Sequence, residues 1–192
     1  MKNTLASLAR LLPLVICCTS APAQVMEFDP AQTAVEFTLP SVLHTVHGTF
    51  QLKRGSMQID AATGAVSGEI VVDATSGASG NSARDRRMHD SILESRRFPE
   101  IAFRPTRLEG AVPQQGKATL QMRGVFRIHG ADHEIAFPVD VEAASGRYSA
   151  TLHFSIPYVE WGMKNPSTFV LRVSDKVDIT VRTVARPVAA GS

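Results

Sequence analysis

The sequence predicts an all-β domain with a short helix: an antiparallel barrel of about eight strands around an apolar interior. Three observations point there. Apolar residues recur at every second position through most of the chain, turn-forming clusters separate these runs at short intervals, and only one segment breaks the period. Short connections between alternating strands favour antiparallel neighbours, and eight such strands can close into an up-and-down barrel. A sandwich is the other arrangement the pattern allows.

The N-terminus is separate from this domain. Lys2 and Arg10 supply positive charge, Leu11 to Cys18 an apolar run, and Ala21-Pro22-Ala23 a small-residue cleavage site, the order of a secretory signal peptide. The run is too short to span a bilayer. Residues 1–23 are therefore expected to be removed, leaving a domain over 24–192 with its core at about 28–183. A lipid anchor at Cys17 is the rival reading, and Ile16 stands where a small residue is wanted before a lipidated cysteine.

Removal of the signal changes the composition. The whole chain has 192 residues, 20 Lys and Arg against 18 Asp and Glu, and two cysteines, Cys17 and Cys18. Loss of Lys2 and Arg10 balances the charge, and loss of the cysteine pair leaves no disulfide to staple the fold. A charge-balanced chain without a Lys/Arg tract has no overall electrostatic attraction for nucleic acid. Stability must come from the core, which about 170 residues can supply.

The strands follow in order. Val35, Phe37 and Leu39 alternate with polar residues, as do Val46, Gly48, Phe50 and Leu52. The pattern returns at Val66 to Asp73, at Ile101 and Phe103, at Ala118 to Ile128, at His133 to Val141, at Tyr148 to Ile156, and at Phe169 to Val181. Turns are expected at Lys53-Arg54-Gly55, Ala62-Thr63-Gly64, His129 to Asp132, Ser145-Gly146 and Trp161 to Ser167. The tail Ala185 to Ser192 is expected to fray.

Residues 82 to 95 break the period. Ser82-Ala83-Arg84-Asp85 resembles a capping box, and Met88 and Ile92 fall on one helical face with Leu93 beside them, so one helix or two short ones should end before Phe98-Pro99. The apolar side of this segment needs a partner, and one mouth or side of the barrel is the obvious one.

Candidate chemistry is sparse. His44 and His47 lie three apart, on opposite faces of a strand, and His129 and His133 flank a hairpin without a cysteine or a suitably spaced carboxylate, so exposed strand-end histidines are expected rather than a metal site. Ser76, Ser79 and Ser82 surround a Gly-rich stretch that is neither a nucleophile elbow nor a P-loop. A hydrolase of amphiphiles using this loop and a histidine is the enzymatic alternative. Arginine is more informative: seven lie between Arg84 and Arg107, against four acids. Most should form a solvated face with pairs such as Arg86 with Asp90. Arg84, beside the expected cap and near the barrel rim, and then Arg87, are the candidates for a polar or anionic head group.

The inward positions form an apolar lining: Phe37, Phe50, Ile70, Phe103, Leu120, Phe126, Phe137, Leu152 and Phe154, to which the helix adds Ile92 and the late turn adds Trp161. Gly48, Gly68 and Gly124 are expected to leave space at inward positions. The interior is either a packed core, as in a structural or stress-response module, or an apolar cavity.

Several motifs resemble one family. Arg84-Asp85-Arg86-Arg87-Met88, Ile92-Leu93-Glu94 and Arg97-Phe98-Pro99-Glu100-Ile101-Ala102-Phe103 resemble the most specific signature of the YceI-like family of periplasmic polyisoprenoid-binding proteins. Gly124 to Gly130 and Tyr158 to Ser167 resemble two further elements, and the likeness runs from about Phe28 to Thr183. The resemblance implies a lipocalin-like barrel, secreted or periplasmic, without catalytic machinery or cofactor, holding an isoprenoid such as a polyprenyl chain or quinone, or a fatty-acyl lipid, in its interior. It also implies a homodimer. Arg87 stands where many members carry histidine.

Overall fold

The computed structural model describes residues 24–42, 44–168 and 172–188. The signal-like segment 1–23, the first residues of the strand expected from Phe169, and the last four residues lie outside these. Nine strands form one sheet: β1 (Gln24–Phe28), β2 (Ala34–Leu39), β3 (Val46–Ile59), β4 (Val66–Ala78), β5 (Glu100–Glu109), β6 (Gly116–Ile128), β7 (Ala131–Ala144), β8 (Arg147–Ile156) and β9 (Val177–Val188). A helix, α1 (Ser82–Arg87), runs into a π-helical turn at Met88–Ile92.

The sheet closes as an antiparallel barrel of eight staves. From β3 to β9 each long strand pairs with its sequence neighbour, and β1 and β2 together complete the circle between β3 and β9. β1 pairs with the far half of β3 and β2 with its near half, so they act as one strand interrupted at Pro30–Gln32. The interruption has a local cause: the Asp29 carboxylate accepts from the Ala31 amide, and Pro30 provides no amide for a ladder.

β1 is a strand that alternation did not reveal. Conversely, the turn expected at Lys53-Arg54-Gly55 is a bulge inside a strand of 14 residues. Lys53 and Arg54 both face solvent, after which Gly55, Met57 and Ile59 resume the inward phase. The last strand starts later than expected, at Val177, and continues through the tail expected to fray, with Ala185 to Val188 paired to β1 and Ala185 buried.

The β6–β7 and β7–β8 connections are two-residue turns with positive φ at both central positions, His129 and Gly130 in one and Ser145 and Gly146 in the other. That geometry matches the twist of the flanking strands. Helix α1 is capped by Asn81, one residue before the expected Ser82: its side-chain oxygen accepts from the amides of Ala83 and Arg84. Asp85, the expected box partner, instead accepts from the amide and hydroxyl of Ser79.

The inward glycines are not open space. A Cβ at Gly48 would lie 2.3 Å from the Phe37 ring, and one at Gly124 would lie 2.4 Å from the Arg104 carbonyl oxygen and 2.7 Å from the Phe103 ring. These glycines let a cross-strand aromatic lie flat against the wall. Gly68 is solvent-exposed, with φ of +125° and the Ser56 carbonyl 2.4 Å from any Cβ. Gly124→Ala should therefore destabilise the fold by about 1–3 kcal/mol, measured by urea unfolding, because neither backbone nor ring can yield. An unchanged midpoint would show that the wall is looser than described.

Candidate functional site

The barrel encloses a cavity of about 600 Å³, a size typical of small-molecule sites. Phe37, Phe50, Ile70, Phe103, Leu120, Phe126, Phe137, Leu152 and Phe154 all line it, and Ile92 joins them from the π-helical turn. Part of the lining is an aromatic band: Phe103 and Phe154 lie 5.3 and 4.7 Å from Phe137, the latter nearly parallel to it. Alternation misses Met88, Leu93, Tyr158 and Met163, because they come from irregular segments that fold over the barrel.

Trp161 is the exception among the expected lining residues. The turn after β8 carries it to the β6–β7 end, where its ring stacks on His133 at 4.1 Å with planes 5° apart and sits 5.9 Å from Phe126. It does not border the cavity.

One end of the cavity is buried and mostly apolar. Met26, Ile59, Leu108, Tyr148 and Ala185 are all buried there, and the Thr33 and Thr183 hydroxyls bond each other at 2.7 Å. The other end holds the charged part of the lining and most of its polar part: Ser41, His44, Ser79, Arg84 and Arg87. Arg87 is exposed as well as lining, so the cavity meets solvent beside it.

Arg84 is held in place. Its Nε donates to the Ser79 hydroxyl and its Nη2 to the Ser79 carbonyl, both at 2.7 Å, while Ser79 is fixed in turn by Asp85. Next to this relay, His89 spans from the Gly77 carbonyl to the buried Ser95 hydroxyl, both at 2.9 Å, pinning the helical segment to β4. Met88 reaches the same glycine, whose Cβ would meet both Phe50 and Met88.

The remaining arginines divide as charge and exposure dictate. Arg104 pairs with Asp132 at 2.7 Å, Arg107 approaches Glu109, and Arg97 pairs with Glu94 while lying over the Phe98 ring. Arg86 and Asp90 form no ion pair among the described residues, contrary to the spacing argument. Exposed pairs of this kind contribute about 0–1 kcal/mol each.

The signature segment around Phe98 is largely structural. The Pro99 carbonyl accepts from Ala74, the Phe98 ring occupies the space over Gly130, and Ile101 and Phe103 face inward. Glu100 faces outward to bond Arg54 and Lys53 at 3.0 and 2.8 Å, and these bonds pull its carboxyl from 4.5 down to about 2.

The histidines do not converge. His47 bonds Thr38, His129 lies 3.3 Å from Glu94, His133 stacks on Trp161, and His44 lines the mouth. Among the described residues, no three His, Cys, Asp or Glu side chains are grouped to hold a metal. The loop serines have other partners: the Ser76 hydroxyl donates to the Asp73 carbonyl and accepts from Gln51, mending the β3–β4 ladder where it is irregular, and Ser79 is taken by Asp85 and Arg84. No helix among the described residues is long and apolar enough to cross a membrane.

The chain matches the YceI-like domain family over residues 26–185. No protein of curated function gives a significant sequence match. Among solved structures, BcnA of Burkholderia cenocepacia is similar with a TM-score of 0.67 at 16% identity, over 82% of this chain and 98% of that one. A polyisoprenoid binding domain from Saccharophagus degradans, implicated in plant cell wall breakdown, gives 0.67 at 15%, over 85% and 98%. The YceI protein of Campylobacter jejuni gives 0.56 at 11% identity over 99% of both chains.

Two groups near the site make stability depend on pH. Burial, with Asp175 adding to it, pushes the Tyr158 phenol from 10 up to about 12, and its hydroxyl donates to the Ser174 carbonyl at 2.8 Å. Between those values the folded protein keeps a proton that the unfolded chain has lost, so stability should fall as pH rises through that window. Glu100 acts in the opposite sense: its contribution is complete above 4.5 and fades as pH falls toward 2. Urea midpoints across both windows check this, and Tyr158→Phe should remove the alkaline slope while leaving the acid one.

Proposed function

Since the chain belongs to the YceI-like domain family, we propose that it is a non-catalytic carrier of an isoprenoid or other long-chain amphiphile, working in the periplasm or outside the cell. One observation carries this reading: the barrel holds about 600 Å³ of space lined almost wholly by aliphatic and aromatic side chains, with its arginines gathered at one end. A packed structural module would have filled that volume, since empty space forfeits contacts. A chain drawn from water into it gains roughly 25 cal/mol for each Å² of apolar surface buried, so length and shape govern affinity.

The secretory pattern of residues 1–23 supports the location. The polyisoprenoid-binding description of the Saccharophagus degradans relative supports the ligand class. Arg84 and Arg87 would meet the head group at the mouth while the chain extends toward Tyr148 and Ala185. Ser76 and Ser79 are bonded to backbone and charged partners and, among the described residues, not to a histidine, which favours the carrier over the hydrolase alternative.

Native mass spectrometry of protein purified from its own compartment, before and after organic extraction, should show a bound lipid that extraction releases and added lipid restores. An empty barrel that takes up no long-chain lipid would sink the proposal. Ala150 lines the cavity toward its Tyr148–Ala185 end, between Val141 and Thr183. Ala150→Trp should lower lipid uptake about tenfold or more, equivalent to about 1.4 kcal/mol, without the stability loss expected of Gly124→Ala. Undiminished uptake would place the lipid elsewhere.

A further inference from the structure

The charge around the mouth is one-sided. The cavity lining contains two arginines and no aspartate or glutamate. Neither Arg84 nor Arg87 belongs to an ion pair among the described residues, whereas Arg54, Arg97, Arg104, Arg107, Arg123 and Arg182 each face a carboxylate on the outer surface. Asp85 is the carboxylate bound into the Arg84 relay. It sits behind Ser79, off the lining, with one of its oxygens taken up by the Ser79 amide and hydroxyl.

This arrangement presents Arg84 and leaves it unsatisfied. With Nε and Nη2 bonded to Ser79, the guanidinium has a fixed direction, and Nη1 has no hydrogen-bond partner among the described residues. A partly buried guanidinium that faces an apolar volume lacks water on that side, and the Asp85 carboxylate reaches it only through the Ser79 hydroxyl, so its charge has no direct partner. Filling the cavity with a neutral chain would strip more water from it. Filling it with a chain that ends in an anion would supply a direct counter-charge and accept charge-assisted bonds, for which a pre-oriented guanidinium is well suited. Arg87, one helical turn on and more exposed, lies on the same face and adds to the field.

We propose that the barrel selects long-chain amphiphiles with an anionic head, a carboxylate or a phosphate, bound head-outward with the anion against Arg84 and Arg87. The inference rests on the carrier reading above and narrows its ligand class: charge at the head, not only length of the chain, sets affinity.

Competition titrations on the delipidated mature protein at neutral pH separate the two claims. Palmitate, hexadecyl phosphate and hexadecanol share one chain and differ in head. The two anions should bind about tenfold or more tightly than the alcohol, the scale of one charge-assisted contact. The stronger of the two identifies carboxylate or phosphate as the preferred head. That advantage should shrink to about threefold or less in Arg87→Gln, a change at an exposed side chain that spares the Ser79 relay, and should survive in Arg84→Lys better than in Arg84→Gln. Hexadecanol binding as tightly as the anions overturns the inference while leaving the carrier in place. Binding of none of the three, nor of geranylgeranyl phosphate and geranylgeraniol, overturns both.

Discussion

Closure of the sheet is the constraint on which the other features depend. Eight staves must meet edge to edge, and the circle is completed only because the interrupted strand formed by β1 and β2 bonds β3 on one side and β9 on the other. Once closed, the sheet has no free edge to template aggregation, and every inward side chain shares one enclosed volume. The interruption at Asp29-Pro30 lets a single stave follow the curvature of two long neighbours. The bulge at Lys53 and Arg54 does the same for β3, restoring the inward phase of the second half of that strand.

Given that frame, the interior is decided by how its side chains share space. Rings are accommodated by thinning the backbone beneath them: Phe37 lies over Gly48, and Phe103 over Gly124. These two rings therefore lie close against the wall. With these rings set against glycine backbone, the barrel keeps an apolar volume of about 600 Å³. Energetically the cavity is a cost carried by the wall, because its lining lacks partner atoms on one side. A bound chain would supply them.

The signature segment then divides into support and presentation. Phe98, Pro99 and Glu100 tie the chain to the β6–β7 turn, β4 and β3, while His89 and Ser95 pin the helical segment from below. On this base Ser79 aims Arg84 at the mouth. Much of the fold was legible beforehand because alternation reports burial on one face of a sheet, which is why nine of the lining residues follow from period two alone. The misses have local causes. β1 is short and its partners in β3 lie 29 to 35 positions away in sequence, so nothing adjacent signals it. Lys53-Arg54-Gly55 reads as a turn because two consecutive polar residues break the period in a bulge and in a turn alike. Trp161 and the inward glycines depended on where a ring lies, and side-chain direction out of an irregular turn or across a strand pair is not written in residue type.

The central claim is that the enclosed volume is a binding site whose affinity comes from burying chain. Isothermal titration of the mature protein with saturated carboxylates of increasing length tests it directly. Affinity should rise by about 0.8 kcal/mol for each methylene buried, with a negative heat-capacity change, until the cavity is full and the gain stops. An affinity independent of chain length would contradict the account, because it would leave the apolar interior with no part in binding.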